Sequence, residues 1–289
     1  MNYRECYDKG KEALQTAGVP EAELNARLLL EYVCDTDRNT LLVHGDREVS
    51  ATEQEAYATL IEKRRSRIPL QHLTGVQNFM GLDFQVNEHV LIPRQDTEIL
   101  VEEVLKNLHD GMRVLDMCTG SGCILISLLY YSNGCTGVGA DLSENALKVA
   151  RHNAETLLSG RVCGDTDDGA NGRAEFLQGD LFEKIHGKFD IIVSNPPYIE
   201  REEIRELMPE VREHEPLSAL DGGADGLDFY RKIIDQCLVH LNGGGMLFFE
   251  IGYDQGEAVK QLLIQANFHE VSIVKDYAGL DRVVYGTRF

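Results

Sequence analysis

A chain of 289 residues, 43% hydrophobic and 26% charged, can bury a substantial core and fold as one or two domains. Its formal net charge of −20 argues against a nonspecific nucleic-acid binder, which needs a basic surface to displace counterions from phosphates. No apolar run approaches the roughly 18–20 residues of a membrane span, and Met1 to Cys6 lacks the basic stretch and apolar core of a signal peptide, so a cytoplasmic protein is expected.

Residues 3–17 carry apolar groups at helical spacing and stop before Gly18-Val19-Pro20. A second helix over 22–34 places Leu24, Leu28, Leu29 and Val33 on one broad face. Ser50-Ala51-Thr52-Glu53 predicts a capping box that opens a third helix through Ile61 to about Arg67, and Pro69 closes the unit. The densest basic cluster, Lys63-Arg64-Arg65-Ser66-Arg67, reads as the solvated end of that helix, where cations suit the macrodipole. From Gly75 to Pro93 the pattern alternates through Phe79, Leu82, Phe84, Val86, Val90 and Ile92, which predicts a hairpin bridging two domains. A helix over 97–108 follows, with Asp96 as its expected N-cap.

Beyond Arg113, β-rich runs at 113–117, 136–141, 174–178, 189–194, 245–251, 271–275 and 282–287 alternate with helical segments. Those segments follow Gly122 and Ser143 and occupy 229–241 and 255–266. Such alternation predicts a doubly wound, mostly parallel sheet, its last two strands an antiparallel edge. Residues 161–173 read as a solvated loop whose acid spacing does not make a calcium site. Seven cysteines, irregularly spaced, fit a reducing compartment; Cys118 and Cys123 lack zinc spacing, and no metal is expected.

In doubly wound sheets, ligands sit beyond the carboxyl ends of the strands near the switch point. Asp116 ends one strand, Met117-Cys118-Thr119-Gly120-Ser121-Gly122 turns into a helix, and Asp141 closes the next strand about twenty residues on. This pattern serves a nucleotide-like ligand and leaves NAD, FAD and S-adenosylmethionine open. The strand 189–194 delivers Asn195-Pro196-Pro197-Tyr198 to the same sheet edge. Two prolines remove backbone donors and end the strand, while their carbonyls stay free to accept. The Asn side chain offers one acceptor and two donors, and the Tyr ring a flat surface. Together these groups suit an NH2 attached to a planar system, either an amide or the exocyclic amine of a base.

Asp-Met-Cys-Thr-Gly-Ser-Gly with Asn-Pro-Pro-Tyr resembles a class I S-adenosylmethionine-dependent methyltransferase acting on nitrogen. The whole chain resembles the PrmC/HemK family, the release factor glutamine methyltransferases. Pro69 to Gly75, Leu91 to Glu98, Glu215 to Leu227, Phe249 to Gly252 and Asp276 to Arg282 extend the likeness over both domains. The resemblance implies a Rossmann-like seven-stranded sheet, with a helical substrate-recognition domain (1–74), a β-hairpin linker (75–94) and a methyltransferase domain (95–289). It implies methylation of the glutamine amide nitrogen in the Gly-Gly-Gln motif of peptide chain release factors, by a monomer. S-adenosylmethionine would be held by Asp116, Cys118, Thr119, Gly120, Ser121, Gly122, Asp141, Leu142, Asp180, Leu181 and Asn195. Asn195, Pro196, Pro197 and Tyr198 would bind the substrate amide, with Asn195, Pro196 and Tyr198 catalytic. Two positions depart from the family: Cys118 stands where glycine is common, tolerable if its φ is negative, and Gln95 where proline is common. The alternatives are an adenine-N6 nucleic-acid methyltransferase, which shares Asn-Pro-Pro-Tyr, and a nonenzymatic binding module, which leaves that motif without a purpose.

Overall fold

The computed structural model describes residues 1–159 and 173–289, so the loop and the calcium reading at 161–173 fall outside the described residues except for Arg173. The chain divides into two compact units, Met1–Val76 with Met208–His214, and Gln77–Leu207 with Glu215–Phe289.

The first unit is helical: α1 (Tyr3–Thr16), α2 (Ala22–Val33), α3 (Arg38–Val43), α4 (Ala51–Arg65), α5 (Leu70–Thr74) and a single turn, Pro209–Arg212. Capping boxes start α1 at Asn2 and Glu5 and α4 at Ser50 and Glu53, satisfying donors that the first helical turn leaves free. Leu14, Ala26, Leu29, Leu30, Tyr57 and Ile61 form the core. The buried face of α2 is Ala22, Asn25, Ala26, Leu29 and Leu30, while Leu24 is exposed, because small residues let neighbouring helices approach. Gly10 gives the Tyr57 ring its place; a Cβ there would collide with the phenol, which donates to Ala26 O at 3.1 Å. Pro69 opens α5 rather than closing the unit.

The basic cluster departs most from its sequence reading. Lys63 and Arg65 are exposed, but Arg64 is 5% exposed and spans three partners. It donates to Asn25 Oδ1 at 2.8 Å, to Ile68 O at 3.3 Å and to Glu210 Oε1 at 2.9 Å. Arg67 donates to Glu210 Oε2 at 2.9 Å and to Gly18 O at 2.8 Å. Glu210 is carried by the returning segment Met208–His214, 146 positions from Arg64 in the chain.

The second unit opens with a hairpin, β1 (Val76–Phe79) and β2 (Leu82–Gln85), whose Phe79 and Phe84 enter the core beside α6 (Gln95–Asn107). There follow β3 (Arg113–Met117), α7 (Cys123–Tyr130), β4 (Thr136–Asp141), α8 (Glu144–Leu157), β5 (Ala174–Gln178) and β6 (Phe189–Ser194). The chain ends with α9 (Asp228–Cys237), β7 (Leu241–Glu250), α10 (Gly256–Gln265), β8 (His269–Lys275) and β9 (Asp281–Thr287). One seven-stranded sheet runs β5-β4-β3-β6-β7-β9-β8, parallel through β7 and antiparallel at β9 and β8. Alternate residues feed two cores: Val114, Ile191 and Phe248 meet α6, α7 and α8, whereas Leu115, Ile192 and Phe249 meet α9 and α10.

The doubly wound fold expected from the sequence is therefore present. Several boundaries moved, the two largest at the junction before β7. The helix read over 229–241 ends at Cys237, and β7 starts at Leu241 rather than 245, since Gly243 to Gly245 mask a strand in any propensity reading. Asp96 does not cap α6; Arg94 holds the N-cap position and makes no side-chain cap bond. Gln95 is the first helical residue, where proline is tolerated because the N–H has no intrahelical acceptor, so glutamine there changes little.

Candidate active site

The switch point lies between β3 and β6, where Ser194 Oγ donates to Met117 O at 2.6 Å and ties the two strand ends together. Asp116 is fully buried beneath the turn that follows β3. Thr119 Oγ1 donates to its Oδ2 at 2.6 Å and Leu125 N at 3.3 Å. Burial pushes this carboxyl up to about 7 against those two donors. Asp116 thus shapes the turn from below and lies outside the cavity wall, with Oδ2 taken by the turn's own donors and Oδ1 buried without a partner.

Within the turn, Cys118, Gly120 and Gly122 all have positive φ, at 64°, 54° and 79°. The negative φ that would have made Cys118 an easy replacement is not found; the cysteine occupies a backbone region that favours glycine. Burial, reinforced by the Asp141 and Asp116 carboxylates, pushes its thiol well above the usual range. Gly122 is also required sterically, since a Cβ would stand 2.8 Å from Ile126 Cδ1 and 3.1 Å from Ala150 Cβ. A Cβ at Gly120 would meet no atom within 4 Å.

Asp141 ends β4 and accepts from Gly120 N at 2.9 Å and Ser143 N at 2.8 Å. Burial raises its pKa against these backbone donors and that of Leu142. One carboxylate therefore fixes the glycine turn to the neighbouring strand end, with lone pairs to spare for a ligand.

A cavity of about 600 Å³ opens over these strand ends, within the range of cofactor sites. Its wall includes Cys118, Thr119, Gly120, Ser121, Asp141, Leu142, Asp180, Leu181, Asn195 and Pro197, which the chain spreads over almost eighty positions. Gly122, Pro196 and Tyr198 join Asp116 outside that wall. Pro196 is buried, and the Tyr198 phenol turns toward Oε1 of Glu250 at 3.2 Å instead of toward the cavity. The open space at Gly120, the Asp141 carboxylate and the apolar side chains of Leu142 and Leu181 fit a ligand with a hydroxylated sugar and a flat base.

Several wall residues escaped the sequence reading. Thr97 of α6 accepts from Asn195 Nδ2 at 3.3 Å. Phe229 and Lys232 of α9 and the rim Pro216 to Ala219 complete the cavity. Arg94 and Glu98 did not escape that reading, since the sequence offers them as cleft residues or as members of ordinary salt bridges. Arg94 lines the cavity and reaches Glu215 at 2.6 Å, anchoring the start of that rim, while Glu98 lies outside the wall and accepts from Met80 N at 2.7 Å. The glycine-rich stretch after Leu220 presses against the Asn-Pro-Pro-Tyr backbone: a Cβ at Gly222 would lie 2.7 Å from Tyr198 Cα. Phenylalanine and threonine at helical spacing carry no mark of a cavity, so only the fold could bring them forward.

Among the described residues no helix is long and apolar enough to cross a membrane, and no group of three or more His, Cys, Asp or Glu is placed to hold a metal.

Both units of the chain are similar to known proteins. Residues 5–75 match the family described as PrmC N-terminal domain, and residues 94–211 the methyltransferase small domain. The release factor glutamine methyltransferase of Geobacter sulfurreducens is 40% identical over 284 residues, covering 98% of this chain and 95% of that protein. The protein of the same name from Caulobacter vibrioides is 40% identical over 286 residues, with coverage of 98% and 95%. Among solved structures, a methyltransferase from Pyrococcus furiosus shares the fold, with a TM-score of 0.54, 20% identity and coverage of 78% of this chain and 98% of that one. With that identity maintained over nearly its full length, the chain belongs to the release factor glutamine methyltransferase family.

Proposed function

We propose that this protein transfers a methyl group from S-adenosylmethionine to the side-chain amide nitrogen of the glutamine in the Gly-Gly-Gln motif of peptide chain release factors. The observation that carries the reading is the placement of Asn195 and Pro197 in one cavity with the turn 118–121 and Asp141. The residues proposed to hold the cofactor are Cys118, Thr119, Gly120 and Ser121 by backbone and small side chains, Asp141 at the sugar, and Leu142, Asp180 and Leu181 around the base. When bound, S-adenosylmethionine supplies a sulfonium methyl that is already a strong electrophile.

The chain's own task is the other reactant. An amide nitrogen is a poor nucleophile because its lone pair is delocalised into the carbonyl. Asn195 Oδ1 and the Pro196 carbonyl accept the two amide N–H groups and hold them out of the conjugated arrangement, which localises the lone pair. Pro197 in the cavity wall keeps the amide plane in position, and Tyr198, its phenol held by Glu250 behind the wall, is proposed to pack against that plane when substrate is bound. Alignment at about 3–3.5 Å supplies much of the acceleration, so no dedicated base is needed. The proton lost from nitrogen passes to solvent.

The helical unit is proposed to recognise release-factor surface away from the glutamine, an argument from fold-level analogy. A net charge of −20 sets the adenine-N6 alternative at a disadvantage, and the named relatives act on release factors. The protein is proposed to work in the cytoplasm, as a monomer. Mass spectrometry of a release factor after incubation with enzyme and S-adenosylmethionine should find one methyl group on the Gly-Gly-Gln glutamine. A Gly-Gly-Ala factor that still accepts the methyl group would sink the assignment. Asn195→Ala should lower kcat by about 100-fold or more with cofactor affinity retained.

A further inference from the structure

Asn195 can serve as an acceptor toward substrate only if its carboxamide is held one way round. Oxygen and nitrogen of an Asn side chain are nearly the same size, and packing alone does not choose between them. Flipped, the side chain would present Nδ2 to a substrate NH2, donor against donor. What makes the choice is the polarity of the groups behind it.

We propose that Thr97 and Glu250 are positioning residues that set the direction of the Asn195 carboxamide, with Thr97 as the relay and Glu250 as the acceptor that orients it. Thr97 is 2% exposed and Glu250 1% exposed, one from α6 and the other from the end of β7. Thr97 Oγ1 receives Asn195 Nδ2 at 3.3 Å. A hydroxyl that accepts this bond still has one proton to direct, and Thr97 lowers the pKa of the Glu250 carboxyl, the buried acceptor available to it. Glu250 Oε1 receives the Tyr198 phenol at 3.2 Å, and Oε2 is buried without a hydrogen-bond partner, which leaves it as the acceptor for the Thr97 proton. An acceptor-only carboxylate thereby fixes Thr97 as acceptor from Asn195, and Asn195 Oδ1 is left for the cavity. The same carboxylate holds Tyr198, so both polar side chains of Asn-Pro-Pro-Tyr are oriented from one buried group.

Protonation would undo this order. A neutral Glu250 becomes a donor, can give its proton to Thr97 Oγ1, and so frees Thr97 to donate to Asn195 Oδ1. Burial pushes Glu250 up to about 7, against Thr97, Arg282 and Tyr198, while Asp96 adds to the rise. The groups around it are Thr97 and Asp96 of α6, Tyr198 beyond β6, Arg282 of β9, and the Tyr230 phenol of α9 on its backbone carbonyl. Activity set by this polarity is lost as pH falls through a value near 7.

The inference rests on the methyl-transfer reading, and two measurements separate their fates. In steady-state methylation of a release factor, Thr97→Val should lower kcat by about 100-fold with little change in KM, since the fault is misalignment. Thr97→Ser should restore most of the loss, and calorimetric affinity for S-adenosylmethionine should stay within about twofold in both. Glu250→Gln should remove the acid limb of the kcat profile. Independently of any substrate, the Asn195 side-chain amide resonances should titrate near neutrality in the wild-type protein and stay flat in Glu250→Gln and Thr97→Val. A wild type that titrates in this way yet methylates no release factor would refute the function and keep the positioning. Unperturbed kcat in Thr97→Val, a Ser variant as impaired as Val, or an Asn195 amide blind to Glu250 would overturn the positioning itself.

Discussion

Glu210 in the helical unit and Glu250 in the sheet unit are withdrawn from solvent alike, at 6% and 1% exposure, yet their carboxyls shift in opposite directions. Burial raises both. Around Glu210 it is outweighed by its own backbone N–H and by Arg64 and Arg67, so the group is held below the usual carboxylate range. Glu250 has hydroxyls, the charge of an Arg282 that is also engaged by Asp276, and the opposing charge of Asp96, and burial wins. The helical unit neutralises its buried acid and uses it to fasten the segment 208–214 into its core. The sheet unit leaves its acid close to titration, beside the residues proposed to do chemistry.

The contrast breaks first in stability. Arg64→Ala leaves Glu210 with Arg67 alone and strips the donor from buried Glu210 Oε1 and Asn25 Oδ1, which should cost about 2–4 kcal/mol. Urea denaturation with hydrogen exchange should locate the loss in the helical unit. A loss under about 1 kcal/mol would mean that water reaches Glu210 and that the pair resembles an ordinary surface bridge.

That pair also marks what the sequence could tell. The strand, glycine turn and second acid are legible because a Rossmann-like sheet demands them in that order, and Asn-Pro-Pro-Tyr because paired prolines must end a strand. Arg64 was misread as solvated since its partner is 146 positions away and no local pattern announces it. Thr97 and Glu250 were invisible as site residues for a related reason: each is a single polar residue in an otherwise well-formed helix or strand. Asp116 was legible as a turn residue but not in its direction, which only the Thr119 and Leu125 donors decide.

The second test reads pH. Glu210, whose pKa is lowered, adds stability that is present above its unfolded value near 4.5 and lost as pH falls through its folded value. Glu250 behaves in reverse: its contribution is complete below 4.5 and lost as pH rises through about 7. Asp116, also raised to about 7, adds to the same decline. Glu250→Gln should therefore flatten the loss of stability between about pH 4.5 and 7 by on the order of 2–3 kcal/mol. Thermal denaturation across that range checks it, and an unchanged slope would mean that Glu250 is ionised throughout.

The smallest effect tests whether the tension of the sheet unit extends to its backbone. Cys118 keeps φ at 64° between Met117, whose carbonyl is tied by Ser194, and Thr119, whose hydroxyl is tied to Asp116. Both neighbours are fixed, so the cysteine cannot relax without disturbing the turn. A left-handed conformation costs an L-residue roughly 1–2 kcal/mol, and glycine returns part of that through its greater freedom when unfolded. Cys118→Gly should then gain about 0.5–1 kcal/mol with cofactor affinity within about twofold, and Cys118→Val, branched at Cβ, should lose at least as much. With its pKa pushed up, the thiol adds no thiolate chemistry that glycine would remove. If Cys118→Gly weakens cofactor binding tenfold while the fold is stabilised, the strained side chain itself contacts the ligand, and the turn tolerates its φ for the sake of binding.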